Sequence, residues 1–290
     1  MVCLAALFPW LVSPEDSGLR FFLLVPSLLM MGKAWEVGVG KPSTPRVFES
    51  PLRFWVWALV PTEGHWMDNS EQRRAVRAKA PAVALRILAK GAAAVALMVL
   101  NDAVFLHENL WVSTVWMAFM TYFVLSMCID GCAFGARVVG IDVPPVFDAP
   151  PLARNPRDFW GRRWNLWFTT ASHRLIFKPM GGAKRPILAA GAVFLFSAVM
   201  HEYMVWVSLG AIDGRMFSFF ILHGVVATAF TAFSRSGGGM KPLPRPVAVA
   251  LHLVWFSLSA PLFFGPVNEI FSISRWSFAS FLETGWFFAG

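Results

Sequence analysis

Charge is scarce in this chain: Asp, Glu, Lys and Arg together make up 14% of its 290 residues, against roughly 25% in soluble domains. Only two Tyr accompany 28 Phe and 14 Trp. Cys numbers three (Cys3, Cys128 and Cys132), an odd count in apolar context, which argues against a disulfide framework and leaves reduced packing thiols as the expectation. Cys128 and Cys132 share a helical face at i,i+4, but no His or carboxylate cluster nearby completes a metal site, and no HxxH, HxxxH or HxxE spacing occurs. We therefore expect neither a metal nor a cofactor. Internal repeats are missing too, and the one low-complexity stretch is residues 236–239 with the MKPLPRP run behind it, read as a flexible cytoplasmic turn. Residues 2–12 are too short to cross a membrane and have no basic start of a secretory signal.

What is abundant is apolar surface. Hydrophobic residues make up 57% of the chain, against about 45–50% in soluble domains. A soluble fold of this size could not bury so much without large exposed patches. Soluble enzyme, disordered chain and fibrous protein are excluded on that ground, and a polytopic membrane protein is indicated. About 20 apolar residues make a span. The candidates are residues 19 to about 35, with Pro26 inside, then 82–100, 110–130, 187–209, 216–233 and 247–270. Residues 278–288 make half a span, and the Trp-rich 52–60 reads as an interfacial or re-entrant segment. The expected fold is an all-α polytopic transmembrane helical bundle of about six to eight spans, in a single domain over residues 1–290.

The 25 Lys and Arg against 17 Asp and Glu give a formal charge of +8. Basic residues fall in alternate loops: Arg73, Arg74, Arg77 and Lys79 in one, nine residues between Arg137 and Arg185 in the next but one, and Arg235, Lys241 and Arg245 after that. The intervening loops are poor in them. That alternation is the positive-inside pattern, with the basic loops cytoplasmic, and it explains the charge without nucleic acid as a partner.

Two segments carry candidate chemistry. In the longest loop, IDVPPVFDAPPLARNP contains five prolines that forbid a regular helix; Asn155 then suits an N-cap and Pro156 a helix start. Along the helix that follows, Trp160, Arg162, Arg163 and Trp164 interleave aromatic and cationic groups. This is either an interfacial helix or a platform for a phosphorylated ligand with Asn165 turned inward. In the fourth span, His201 lies 14 residues beyond Ile187, about 21 Å deep at 1.5 Å per residue. An ionisable residue there is either functional or holds two helices together. Glu202 is adjacent, pointing about 100° away, and is expected to orient a neighbouring helix; Ser197 lies one turn back on the face of His201. For His223 and His252, inside spans, a structural hydrogen bond is expected.

FWGRRWN at 159–165, preceded by FDAPPLARNPRD, resembles the signature of plant-type wax synthases, and SAVMHEYMVWV at 197–207 resembles the S-x-x-x-H-E segment of the same enzymes. Both point to the membrane-bound O-acyltransferase superfamily. The resemblance implies transfer of a fatty acyl group from acyl-CoA, as co-substrate, to the hydroxyl of a long-chain alcohol, with sterol, diacylglycerol or another hydroxylated metabolite as alternative acceptors. A proton-coupled transporter is the rival outside that class, but the paired broken helices of inverted repeats are not found. By the resemblance His201 is the general base and Asn165 assists. Trp160, Arg162, Arg163 and Trp164 would suit CoA, with Ser197 and Glu202 also near substrate. Since Asn165 belongs to a cytoplasmic loop and His201 is deep, the motif loop is expected to re-enter the membrane and enclose a catalytic tunnel, with membrane lipids around it.

Overall fold

The computed structural model describes residues 8–40, 47–59, 64–104, 106–235 and 243–284. The fold is all-α and polytopic. In chain order the helices are α1 (Ser17–Gly38), α2 (Pro51–Leu59), α3 (Ser70–Arg77), α4 (Ala80–Val104), α5 (Leu110–Val138), α6 (Pro156–Arg162), α7 (Leu166–Ser172), α8 (Pro186–Leu209), α9 (Arg215–Arg235), α10 (Arg245–Phe271) and α11 (Phe278–Thr284). Among the described residues, six stretches are long and apolar enough to cross a membrane: Pro14–Gly38, Ser70–Val104, Leu110–Val138, Pro186–Leu209, Arg215–Phe233 and Arg245–Phe271. They coincide with the six expected spans.

The differences lie at the ends. α5 runs on past residue 130 to Val138, because nothing breaks it before Gly140, whose φ of 87° ends the turn. Of residues 2–12, Phe8–Leu11 form a single 3₁₀ turn and residues 2–7 lie outside the described residues. The half-span at 278–288 is described only as α11, and the 236–239 turn and Cys3 lie outside the described residues. Cys128 and Cys132 are exposed on α5 rather than packed, which corrects the expectation of buried thiols. Leu85, Leu88, Val225, Val254 and Leu258 are among the most exposed side chains, while Ser113, Thr114, Ser126, Ser197 and Ser259 are buried. Small polar residues at helix contacts and large apolar ones outside are what hydrocarbon surroundings favour.

Among the described residues the chain forms two compact units, one of Val25–Pro145 with the segment from Ser272 onward, the other of Pro9–Leu24 with Val146–Phe271. In the first, α4 and α5 form an antiparallel hairpin. Lys90 Nζ donates to Asp130 Oδ2 at 2.6 Å and to Ser126 Oγ at 2.5 Å, and Arg86 reaches Asp130 Oδ1 at 3.2 Å. Trp116 Nε1–H donates to the Leu97 carbonyl at 2.8 Å. Asp102 Oδ2 accepts the N–H groups of Phe278 and Ala279 and so caps α11 from a distant helix.

In the second unit α8, α9 and α10 pack around Ala198, Val205, Met216, Phe219 and Phe220, with Trp160, Phe194 and Phe263 against them. The C-terminal end of α8 is held by Arg20. Although only 4% exposed, its guanidinium donates to the carbonyls of Val207 (3.1 Å) and Val12 (2.8 Å) and lies over Trp10. A cation beside the last carbonyls of a helix also opposes their negative dipole end. α8 and α9 approach closely at Gly224, where an added Cβ would stand 2.7 Å from the Phe194 Cβ. Gly224→Ala should therefore force these helices apart and destabilise by about 1–3 kcal/mol, read as a lowered Tm of the purified protein in detergent; an unchanged Tm would contradict the close approach.

Candidate functional site

The motif loop is built by hydrogen bonds that the sequence spells out locally. α6 begins where Asn155 Oδ1 accepts the Asp158 N–H at 2.8 Å and Pro156 occupies the first turn. It does not continue through residue 168. Asn165 adopts φ 44°, ψ 60°, a left-handed conformation that Asn tolerates better than most residues, and the chain turns there. Asn165 then caps α7, its Oδ1 accepting from the Phe168 N–H at 3.2 Å. Asn165 is exposed at this corner.

The expected ligand platform divides in two. Arg162 is exposed. Arg163 is engaged within the loop: Nε donates to Asp158 Oδ2 at 3.0 Å and Nη1 to the Asp148 carbonyl at 3.1 Å, while its own carbonyl accepts from the Asp148 N–H. Trp164 stacks on Phe159 at 5.5 Å and touches Phe147 at 4.8 Å. Both residues thus fasten the proline-rich 146–153 stretch against the turn after α6. Burial raises the Asp158 carboxyl, but the Arg154 N–H, the Arg163 hydrogen bond and the charges of Arg163 and Arg162 outweigh it and hold the group below the usual carboxylate range.

Trp160 points the other way, into the helices. Its Nε1–H donates to His223 Nδ1 at 3.1 Å, and its ring meets Phe194, Phe219 and Phe220. An indole can only donate, so His223 Nδ1 accepts and the proton sits on Nε2. From there it is given to Ser259 Oγ at 2.8 Å, whose own hydroxyl reaches the Phe256 carbonyl at 3.0 Å. His223 is completely buried and both its nitrogens are satisfied. The expected structural hydrogen bond is there; the partners, from α6 and α10, carry no mark in the sequence.

His201 sits on α8 five residues after Phe196, the ring on which Phe168 of α7 stacks. Its Nδ1 lies 2.8 Å from the Ser197 carbonyl. A carbonyl only accepts, so Nδ1 carries the proton and Nε2 keeps its lone pair. The imidazole stacks on Phe220 at 4.1 Å and faces Phe263 at 6.3 Å. Ser197 therefore serves His201 through its backbone. Glu202 turns away: Oε1 accepts the N–H groups of Asp213 and Gly214 at 2.8 and 2.5 Å, and Oε2 that of Phe217 at 3.0 Å. Its carboxylate is the N-terminal cap of α9. Trp160 and His201 thus meet on Phe220. The other side chains of the expected set serve the loop (Asn165, Arg163, Trp164), cap a helix (Glu202) or lie exposed (Arg162).

Comparison with known proteins agrees with the motif reading over this region. Residues 143–222 match the model of the membrane bound O-acyl transferase family. The chain is 30% identical over 155 residues to acyl-CoA–sterol O-acyltransferase 1 of Arabidopsis thaliana, covering 50% of this chain and 45% of that protein. It is 29% identical over 141 residues to the long-chain-alcohol O-fatty-acyltransferase of Simmondsia chinensis, covering 44% and 39%. With probable long-chain-alcohol O-fatty-acyltransferase 7 of Arabidopsis thaliana the figures are 30% over 128 residues, 41% and 38%. The chain thus spans less than half the length of these curated relatives.

The Asp158–Arg163 pair makes the order of the loop depend on pH. Because the carboxyl is held below its unfolded value of about 3.9, the pair contributes fully above that value and is lost as pH falls through the lowered one. Limited proteolysis followed by mass spectrometry should find 146–166 protected at neutral pH and opened only in stronger acid. In Asp158→Asn the same segment should be cleaved several-fold faster at pH 7; equal cleavage would remove the pair as the fastener.

Proposed function

We propose that this chain, an integral membrane protein whose residues 143–222 match the membrane bound O-acyl transferase family, transfers a fatty acyl group from acyl-CoA to the hydroxyl of a lipid alcohol, a long-chain alcohol first. The observation that carries the reading is His201 with its Nδ1 proton committed to the Ser197 carbonyl. Its Nε2 is then the basic nitrogen of a neutral imidazole, on an apolar face lined by Phe220 and Phe263.

The chemistry follows from that tautomer. An alcohol gives its proton to His201 Nε2 as its oxygen attacks the thioester carbonyl. The tetrahedral centre collapses with loss of the CoA thiolate, a good leaving group, and the imidazolium returns the proton to sulfur. Ester and free thiol result, with no covalent enzyme intermediate. With Asn165 Oδ1 occupied by the Phe168 N–H, its amide NH₂ is what it can offer, as a donor to the developing oxyanion. Exposed Arg162 suits the CoA phosphates on the cytoplasmic side.

Sterol acylation is the second reading, favoured by one matched relative whose name carries a sterol acceptor. Membranes containing the chain, given radiolabelled palmitoyl-CoA with hexadecanol, a sterol and diacylglycerol, should yield a labelled ester. Its chromatographic mobility identifies the acceptor. His201→Ala should lower the rate by about 10²–10⁴-fold, the usual worth of a general base, and Asn165→Ala by about 10²–10³-fold if it holds the oxyanion. Equal ester from wild type and His201→Ala would remove the base; no ester from inserted wild-type protein with any acceptor would remove the activity.

A further inference from the structure

Not every buried polar atom in the second unit is satisfied. On α10, Nδ1 of His252 and Nε1–H of Trp255 are buried without a hydrogen-bond partner among the described residues, and His252 as a whole is only 3% exposed. The expected structural hydrogen bond of this Nδ1 is therefore not made. An orphaned donor and an orphaned ring nitrogen in apolar surroundings are unfavourable and call for an explanation. His223, 5.6 Å from Trp255 by ring centroids, has both nitrogens paired, so the neighbourhood is not generally short of partners.

Three residues apart, His252 and Trp255 lie on one face of α10. His252 meets Phe159 of the motif loop at 5.5 Å. The stripe continues through Phe256 and Ser259 to Phe263, which faces His201. Along the helix, Trp255 and His252 precede Phe263 by eight and eleven residues, about 12 and 16 Å. They lie toward the end of α10 that follows a basic segment, the cytoplasmic end by its charge. The two orphans therefore stand between the level of His201 and the side from which a CoA-bound substrate arrives.

Resting on the acyl-CoA reading above, we infer that His252 and Trp255 form a subsite for the outer amide and hydroxyl of the pantetheine arm. A thioester held at His201 carries an arm with one amide near sulfur, then a second amide and a hydroxyl, before the phosphates. Trp255 only donates, so it takes the outer amide carbonyl; His252 Nδ1 takes the hydroxyl proton or, in its other tautomer, donates to that oxygen. Neither an acyl chain nor a simple lipid alcohol carries a polar group so far from its reacting end, which assigns the pair to the donor rather than the acceptor.

The test compares two thioesters on the purified full chain in lipid nanodiscs: S-palmitoyl-pantetheine, and S-palmitoyl-N-acetylcysteamine, which stops before the outer amide and hydroxyl. Wild type should prefer the longer one in kcat/KM. His252→Phe and, as an independent variant, Trp255→Phe should each shrink that preference tenfold or more, chiefly through KM. Equal loss on both thioesters, as a merely structural role or a folding defect would give, overturns the subsite, as does an unchanged preference. No ester from wild type with palmitoyl-CoA itself would overturn the acyl-transfer reading, and the subsite with it.

Discussion

A single hydrogen bond, from the Trp160 indole to His223, decides how the motif loop meets the helices. It spans α6 and α9 and fixes the tautomer of a fully buried imidazole. It passes the remaining N–H to Ser259 on α10. In apolar surroundings each of these groups would be strongly disfavoured unpaired. The register of α6 against α9 and α10 is thereby set to within the tolerance of a hydrogen bond. Phe220, one turn before His223, carries the His201 ring on one side and meets Trp160 on the other. The order of that contact follows from the bond below it.

The same constraint recurs at helix ends. Chain termini of helices leave N–H and C=O groups that water would satisfy in a soluble protein. Here side chains from elsewhere do it: Glu202 at the start of α9, Arg20 at the end of α8, Asp102 at the start of α11. Glu202 is the neighbour of His201, so the residue that anchors α9, and with it Phe220, sits beside the imidazole that Phe220 supports. In the first unit Lys90, Arg86, Asp130 and Ser126 solve a related problem between α4 and α5, an internal charge cluster rather than a cap.

The motif loop shows why residue type alone misassigns roles. Arg and Trp interleaved on a presumed helix looked like one ligand surface, yet Asn165 in its left-handed turn breaks that helix. The break separates neighbours in sequence: Trp160 goes inward to His223, Arg163 and Trp164 turn to Asp158 and Phe147, and Arg162 is left exposed. Local signals did survive folding. The Asn155 cap, the Pro156 start and the irregular proline stretch all stand as read, because each depends on bonds within a few residues.

Length, apolar runs and alternating basic loops by themselves determined the six spans, since crossing hydrocarbon is a requirement on composition and length that each segment meets alone. The sequence also marked His201 and its turn of helix: Ser197 is four residues back, and an i−4 carbonyl is always within reach on a helix. Which distant groups would pair was a matter for tertiary structure only. Ser259 as the acceptor for His223, and His252 with Trp255 left unpaired on the stripe that leads to His201, both depend on elements far apart in the chain. A hydrogen bond of that kind depends on position and angle at both ends, and a linear pattern specifies neither.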